Sequence, residues 1–275
     1  DNREASAAGE AREVARELGD LPTQATARAD IALLFDYEAK WLLDTQPQGA
    51  DFDYFHLVLD FYSALRRKGL DVDVISPDAS LDGYRVIVAP SLPIISADLV
   101  DRLAASGAEV VVGPRTGSKT RTLHIVDSLP PGPLQRLLPL RVTRVESLRP
   151  GWVEVGDFGI SRWLEHIETA LPALASTASG LGFWYRSGRI QYVGAWPGAD
   201  LLDAVIEAAS ANAGLTTLRL GDDVRIRRRG DLVIAINYGP EAIDLATLVP
   251  GIEAQTFLIG ERHILPAGVA IWRTR

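Results

Sequence analysis

The sequence predicts an α/β fold, a doubly wound and mostly parallel sheet followed by a small antiparallel β-domain. Three observations lead there. Between Ile31 and Gly113, short and largely apolar runs, of which IALLF is wholly so, alternate with amphipathic helical stretches across short connections. That is the pattern of strands buried on both faces by crossover helices. Beyond Gly214 helical periodicity gives way to short strand-like segments separated by turns. A composition of 47% hydrophobic and 23% charged residues supports a packed core and excludes a disordered chain.

Taken in order, residues 3–18 are rich in Ala, Arg and Glu and read as a helix stopped at Gly19. Its narrow apolar seam, Val14 and Leu18, requires support from another layer. IALLF (31–35) is the first buried strand. Residues 51–69 place Phe52, Phe55, Val58, Leu59, Tyr62 and Leu65 on one helical stripe, with Asp51 as expected N-cap and Gly69 as stop. VDVI (72–75) and RVIVA (85–89) follow as strands, then a helix over 96–105, then EVVVG (109–113). The prolines of SLPPGPLQRLLP (128–139) exclude a long helix there. RVTRVESL (141–148) and GRIQYVGAW (188–196) read as single strands, and 200–214 as a helix capped by Asp200. Residues 223–239 form a hairpin turning at Arg229-Gly230-Asp231. EAQTFLIG, ERHIL and GVAIWR complete the β-domain.

Composition excludes several function classes. A net charge of −8 argues against nucleic acid as a partner, because phosphate binding needs a basic face. No apolar run reaches the ~18 residues of a membrane span, and the first residues do not read as a signal peptide. With no cysteine there are no disulfides, thiolate metal sites or thiol nucleophiles. His56, His124, His166 and His263 lie far apart with no ligand spacing, so neither a metal nor another cofactor is expected. The absence of any methionine, at position 1 or elsewhere, implies either a processed chain or a piece of something longer, and the second is the expectation taken here.

Two strand-end motifs carry the candidate site. GPRTGSKT (113–120) is close to a phosphate-binding P-loop, but Ser118 stands where glycine is needed and no convincing helix follows. Arg115 and Lys119 remain candidates for holding a carboxylate, a sugar hydroxyl or a neighbouring chain, since ligands gather at the carboxyl ends of α/β strands. FDYEAKW (35–41) places Asp36 and Glu38 two residues apart, on one side of an extended segment. Such a pair could serve glycoside hydrolysis. The weightier alternative has one carboxylate capping a turn while the other pairs with Arg115 or Lys119. Trp41 stands with Tyr37, Tyr54 and Phe55 in an aromatic cluster beside this motif, suited either to a sugar face or to a core or interface. Arg225, Arg227, Arg228 and Arg229 read as a solvated strand edge, and no serine has a nucleophile-elbow context.

FDYEAKW, the helix ending ALRRKGLDVDVI, then GYRVIVAPSLPII, GPRTGSKT, SLPPGPLQRLLPLRV, RIQYVGAWP and LPAGVAIW follow one another in this order. Over residues 28–275 the chain thereby resembles the β-galactosidases of glycoside hydrolase family 42. The resemblance implies a three-part enzyme: a catalytic (β/α)₈ barrel, a glutamine-amidotransferase-like (flavodoxin-like) α/β domain for trimerisation, and a C-terminal β-domain. Residues 1–27 would then be a remnant barrel helix and linker, 28–214 the trimerisation domain and 215–275 the β-domain. The family's catalytic glutamates lie on the barrel, so no catalytic residue maps to this chain, which is expected to be inactive alone. The implied partners are two further copies in a homotrimer, the barrel of the same or a neighbouring subunit, and a galactoside reached through that barrel, with the cytoplasm as location. Asp36, Glu38, Trp41, Arg115 and Lys119 are the ligand- or interface-facing candidates. Two alternatives stay open: a free-standing sugar- or anion-binding module, and a small glycosidase using Asp36 and Glu38.

Overall fold

β-Branched and leucine-rich runs too short for helices build the centre of the molecule. In the computed structural model, which describes residues 7–19 and 28–274, β1 (Ile31–Leu34), β2 (Val72–Ile75), β3 (Val86–Ala89) and β4 (Glu109–Val112) are four-residue strands. The intervening helices are α2 (Tyr37–Thr45), α3 (Tyr54–Arg67) and α4 (Ala97–Ala105). Later come β5 (Leu140–Ser147), β6 (Val153–Val155), β7 (Gly159–Thr169), β8 (Ala173–Ser176) and β9 (Gly182–Ser187). β10 (Ile190–Val193), β11 (Ala195–Pro197) and α5 (Ala199–Asn212) complete this part. All lie in one unit, Ala29–Arg219.

Its main sheet has seven strands in the order β2-β1-β3-β4-β10-β9-β8. The first five run parallel, and β9 pairs antiparallel with both β10 and β8. Alternation along each strand divides the core into two layers. Ile31, Leu33, Val86 and Val88 pack with α2, α3 and α5, while Ala32, Leu34, Ile87 and Ala89 pack with α4. Leu57, Phe61 and Leu65 of α3 are fully buried, each contributing about 1.5–3 kcal/mol. A second sheet, β11-β7-β5 with β6 paired to β7, is antiparallel.

Several local expectations are corrected. The N-cap of α3 is Asp53, which accepts the His56 N–H at 2.7 Å, while Asp51 lies 3.8 Å from Arg162. Asp200 sits inside the first turn of α5, whose cap is Gly198. The segment 188–196 is two strands in different sheets. At Gly194 the N–H donates to Phe183 O in the main sheet and the carbonyl accepts from Glu165 N in the second. A Cβ there would lie 2.6 Å from the end of the Ile167 side chain, which would have to move aside. Strands β6 to β9 were not expected, because β7 shows no clean alternation: its buried positions include three in a row, Trp163, Leu164 and Glu165.

The other unit joins α1 (Ala7–Gly19) with Leu220–Arg275. Residues 3–6 of the expected first helix and residues 20–27 lie outside the described residues. Val14, expected on a supported seam, is exposed. β12 (Val224–Arg229), β13 (Leu232–Asn237), β15 (Phe257–Ile259) and β17 (Val269–Arg273) form an antiparallel sheet in the order β12-β13-β17-β15. The expected hairpin turns through Gly230-Asp231, with Gly230 at φ 62°. β14 (Ile243–Asp244) pairs with β16 (His263–Ile264). Buried Asn237 holds the sheet end by donating to the carbonyls of Glu241, Ile264 and Leu265. The arginine-rich β12 is an edge strand, as expected.

Candidate functional site

The strand order reverses between β1 and β3, and this switch point directs attention to the carboxyl ends of β1–β4. Beyond β1 the chain does not stay extended. Asp36 is the N-cap of α2: its Oδ1 accepts the Glu38 N–H at 2.9 Å, and its own N–H donates to Tyr54 Oη at 2.9 Å. The expectation that Asp36 and Glu38 share one side of a strand therefore fails, because a helix begins between them. Partial burial raises the Asp36 carboxyl above its ordinary value; the Glu38 N–H opposes this, and the charges of Glu38 and Asp78 reinforce it. Glu38 pairs at 3.8 Å with Arg121, not with Arg115 or Lys119.

Four backbone donors of the loop after β4 are engaged by neighbouring segments. The N–H groups of Gly113, Gly117 and Lys119 donate to the carbonyls of Ala89, Leu92 and Pro93, and that of Arg115 donates to Glu165 Oε1 at 2.9 Å. Alternate N–H groups of the loop are thereby engaged, which breaks the continuous ring of free donors that cradles a phosphate. Buried Thr116 ties the loop to the segment after β3 by accepting from Leu92 N and donating to Gly113 O. Gly117 has φ 64°, and a Cβ there would meet Pro131 O at 2.0 Å.

Arg115 lies inside the protein, only 7% exposed, with φ 66° and its guanidinium 5.1 Å from the Trp163 ring centroid. Burial pushes its pKa down, and the neighbouring Glu165 charge pulls it back. Glu165 also accepts from Trp163 Nε1 at 3.2 Å and Tyr192 Oη at 2.6 Å. Burial, then the Glu165 charge, raise the Tyr192 hydroxyl well above its ordinary value. This knot of β4, β7 and β10 fixes the loop that carries Lys119. Glu165 was not singled out from the sequence; a lone acid amid apolar strand residues was the available signal.

The loops enclose a cleft of about 450 Å³, within the usual size of a small-molecule site. Asp36, Glu38 and Lys119 line it together with Ser76, Ser96 and Arg121. Arg115 and Trp41 are not among the lining residues. Trp41 instead stands 63% exposed on α2, with Tyr37 60% and Phe55 48% exposed. Phe35 stacks on Phe55 with centroids 5.5 Å apart, and Tyr37 lies 6.1 Å from Trp41. Tyr54, grouped with these rings in the sequence, belongs to the core. Among the described residues, no group of three His, Asp or Glu side chains could hold a metal ion, and no helix is long and apolar enough to cross a membrane.

Known proteins provide one family match, two relatives and one solved structure. Residues 29–216 match the family described as the β-galactosidase trimerisation domain. A β-galactosidase of Thermus thermophilus is 48% identical over 268 residues, covering 96% of this chain and 41% of that protein. A β-galactosidase of Halorubrum lacusprofundi is 34% identical, with coverages of 88% and 39%. Among solved structures, the β-galactosidase of the psychrophilic Marinomonas ef1 superposes with a TM-score of 0.90 at 35% identity, covering 99% of this chain and 43% of that one. The chain thus spans about two fifths of the length of these relatives.

Proposed function

The chain belongs to the β-galactosidase trimerisation-domain family, part of glycoside hydrolase family 42, and from that premise we propose that it is the assembly region of a β-galactosidase. In this reading the parent enzyme hydrolyses terminal β-D-galactosides, and a barrel outside this chain supplies the catalytic glutamates. Residues 28–214 join subunits into a homotrimer and border the active site, and 215–275 form an accessory β-domain. We assign the α/β unit to the glutamine-amidotransferase-like folds; the strand order β2-β1-β3-β4-β10 supports this. Without cysteine it has no amidotransferase thiol.

The observation that carries the reading is the exposed aromatic face of Tyr37, Trp41 and Phe55 at the end of β1. Large aromatic side chains left in water at this density favour an interface, where they are the commonest energetic anchors. The test is the mass of the full-length parent by light scattering, with and without Trp41→Ala and Phe55→Ala. Loss of these anchors, at about 2 kcal/mol or more each, is expected to convert trimer to monomer at micromolar concentration. A double variant that stays trimeric overturns the assignment of this face, and a monomeric parent overturns the assembly role altogether.

A further inference from the structure

We propose that the cleft at the carboxyl ends of β1–β4 binds a neutral, polyhydroxylated small molecule of the monosaccharide class. The inference stands apart from the assembly reading: it concerns a partly open cleft, not the exposed aromatic face.

The charges in the cleft select the ligand. Asp36, Glu38 and Asp78 oppose Lys119 and Arg121, so both signs are present and the balance is slightly negative. An inorganic anion would face three carboxylates, and the N–H groups of Gly113, Arg115, Gly117 and Lys119 in the adjacent loop are already engaged. A bare metal ion lacks a suitable set of ligands among the described residues. Hydroxyl groups suit both signs, because each can donate to a carboxylate and accept from an ammonium or guanidinium.

The neutral lining fits the same class. Ser76 Oγ accepts the Asp78 N–H at 3.2 Å, and Ser96 Oγ accepts the Leu99 N–H at 3.1 Å. Neither bond consumes the serine's own proton, so both O–H groups can donate into the cleft. Ile95, Leu99 and Val126 add apolar surface against which the C–H face of a sugar ring can lie. The walls are held in place: Asp36 is fixed as a helix cap, Ser96 as another, and the Lys119 segment by Pro93 and the Glu165 knot. A site preformed in this way loses little entropy on binding.

The test is calorimetric titration of the 275-residue chain with D-galactose, D-glucose and myo-inositol, with D-galacturonate as the anionic comparator. Saturable one-to-one binding of at least one neutral probe is expected, with galacturonate at least about tenfold weaker. Lys119→Met removes a charged donor and should weaken binding about tenfold or more. Ser76→Trp starts from an exposed position, fills the cleft and should abolish binding; an unchanged circular dichroism spectrum and melting temperature would show that the fold is intact. Absence of saturable binding by all neutral probes overturns the proposal. So does binding that survives both substitutions, or galacturonate binding as tightly as the neutral sugars. None of these results depends on whether the parent is trimeric.

Discussion

Replacing Tyr192 by Phe deletes one oxygen and tests whether the Glu165 knot stabilises the α/β unit. Tyr192 is fully buried and donates to Glu165 Oε2 at 2.6 Å. The other carboxylate oxygen keeps its bonds from Arg115 N and Trp163 Nε1. The variant should therefore lose one hydrogen bond to a charged group and leave Oε2 without its donor, at a cost of about 1.5–3 kcal/mol. For a unit of this size each kcal/mol moves Tm by about 2–4 °C, which gives a fall of about 3–12 °C. Urea denaturation followed by tryptophan fluorescence is a suitable assay, because Trp163 sits in the knot and would report its opening. Adding Glu165→Gln completes a double-mutant cycle, and the two changes should be non-additive because they act on one shared bond. A Tyr192→Phe loss below about 0.5 kcal/mol would refute the reasoning, since that is the size of an ordinary surface substitution.

Three further outcomes follow from single positions. Burial raises the Asp36 carboxyl above its unfolded value of 3.8, so the folded chain holds that proton more tightly than the unfolded chain. The resulting stability is full below that pH and is lost as pH rises through the folded-state value. Asp36→Asn keeps a capping oxygen, so its Tm should exceed that of the parent at pH 7 and match it near pH 3; a lower Tm at pH 7 contradicts the burial account. Gly117→Ala introduces both a left-handed penalty and a backbone clash at Pro131, and should cost more than ~1 kcal/mol; an unchanged urea midpoint would contradict this. Asp53→Ala should cost about 1 kcal/mol as a lost N-cap, whereas Asp51→Ala should cost less. The reverse order in thermal melts would restore Asp51 as the cap of α3.

Much of the parallel half was legible because its signals are local. IALL and VIVA are apolar at every position, EVVV is apolar after Glu109, and all three are too short for helices, so burial on both faces follows largely from composition. The cap of α3 was misplaced by two residues because Asp51 and Asp53 are equally good cap residues, and packing of Phe52 beside Trp163 and Trp196 decides where the helix begins. The same ambiguity affected Asp36, whose partner is the helix starting immediately after it. The antiparallel strands β6 to β9 were not legible, since both faces of β7 carry mixed polar and apolar residues whose burial depends on distant neighbours.

Of the candidate site, the sequence by itself determined the chemistry available and its approximate address: acids after β1, bases after β4, aromatics beside them, and no thiol. Strand-end loops converge in a parallel sheet whatever their length, and apolar runs reveal where strands stop. Only the tertiary structure decided which residues share a space. It brought Asp36, Glu38 and Lys119 to one cleft, turned Arg115 inward onto Trp163 and Glu165, and left Trp41 in solvent. Arg115 and Lys119 are four residues apart on one loop, yet one is buried and the other faces the cleft. Arg115 has a left-handed backbone and its guanidinium lies over Trp163, while the acid that accepts its backbone N–H lies fifty residues away in the chain.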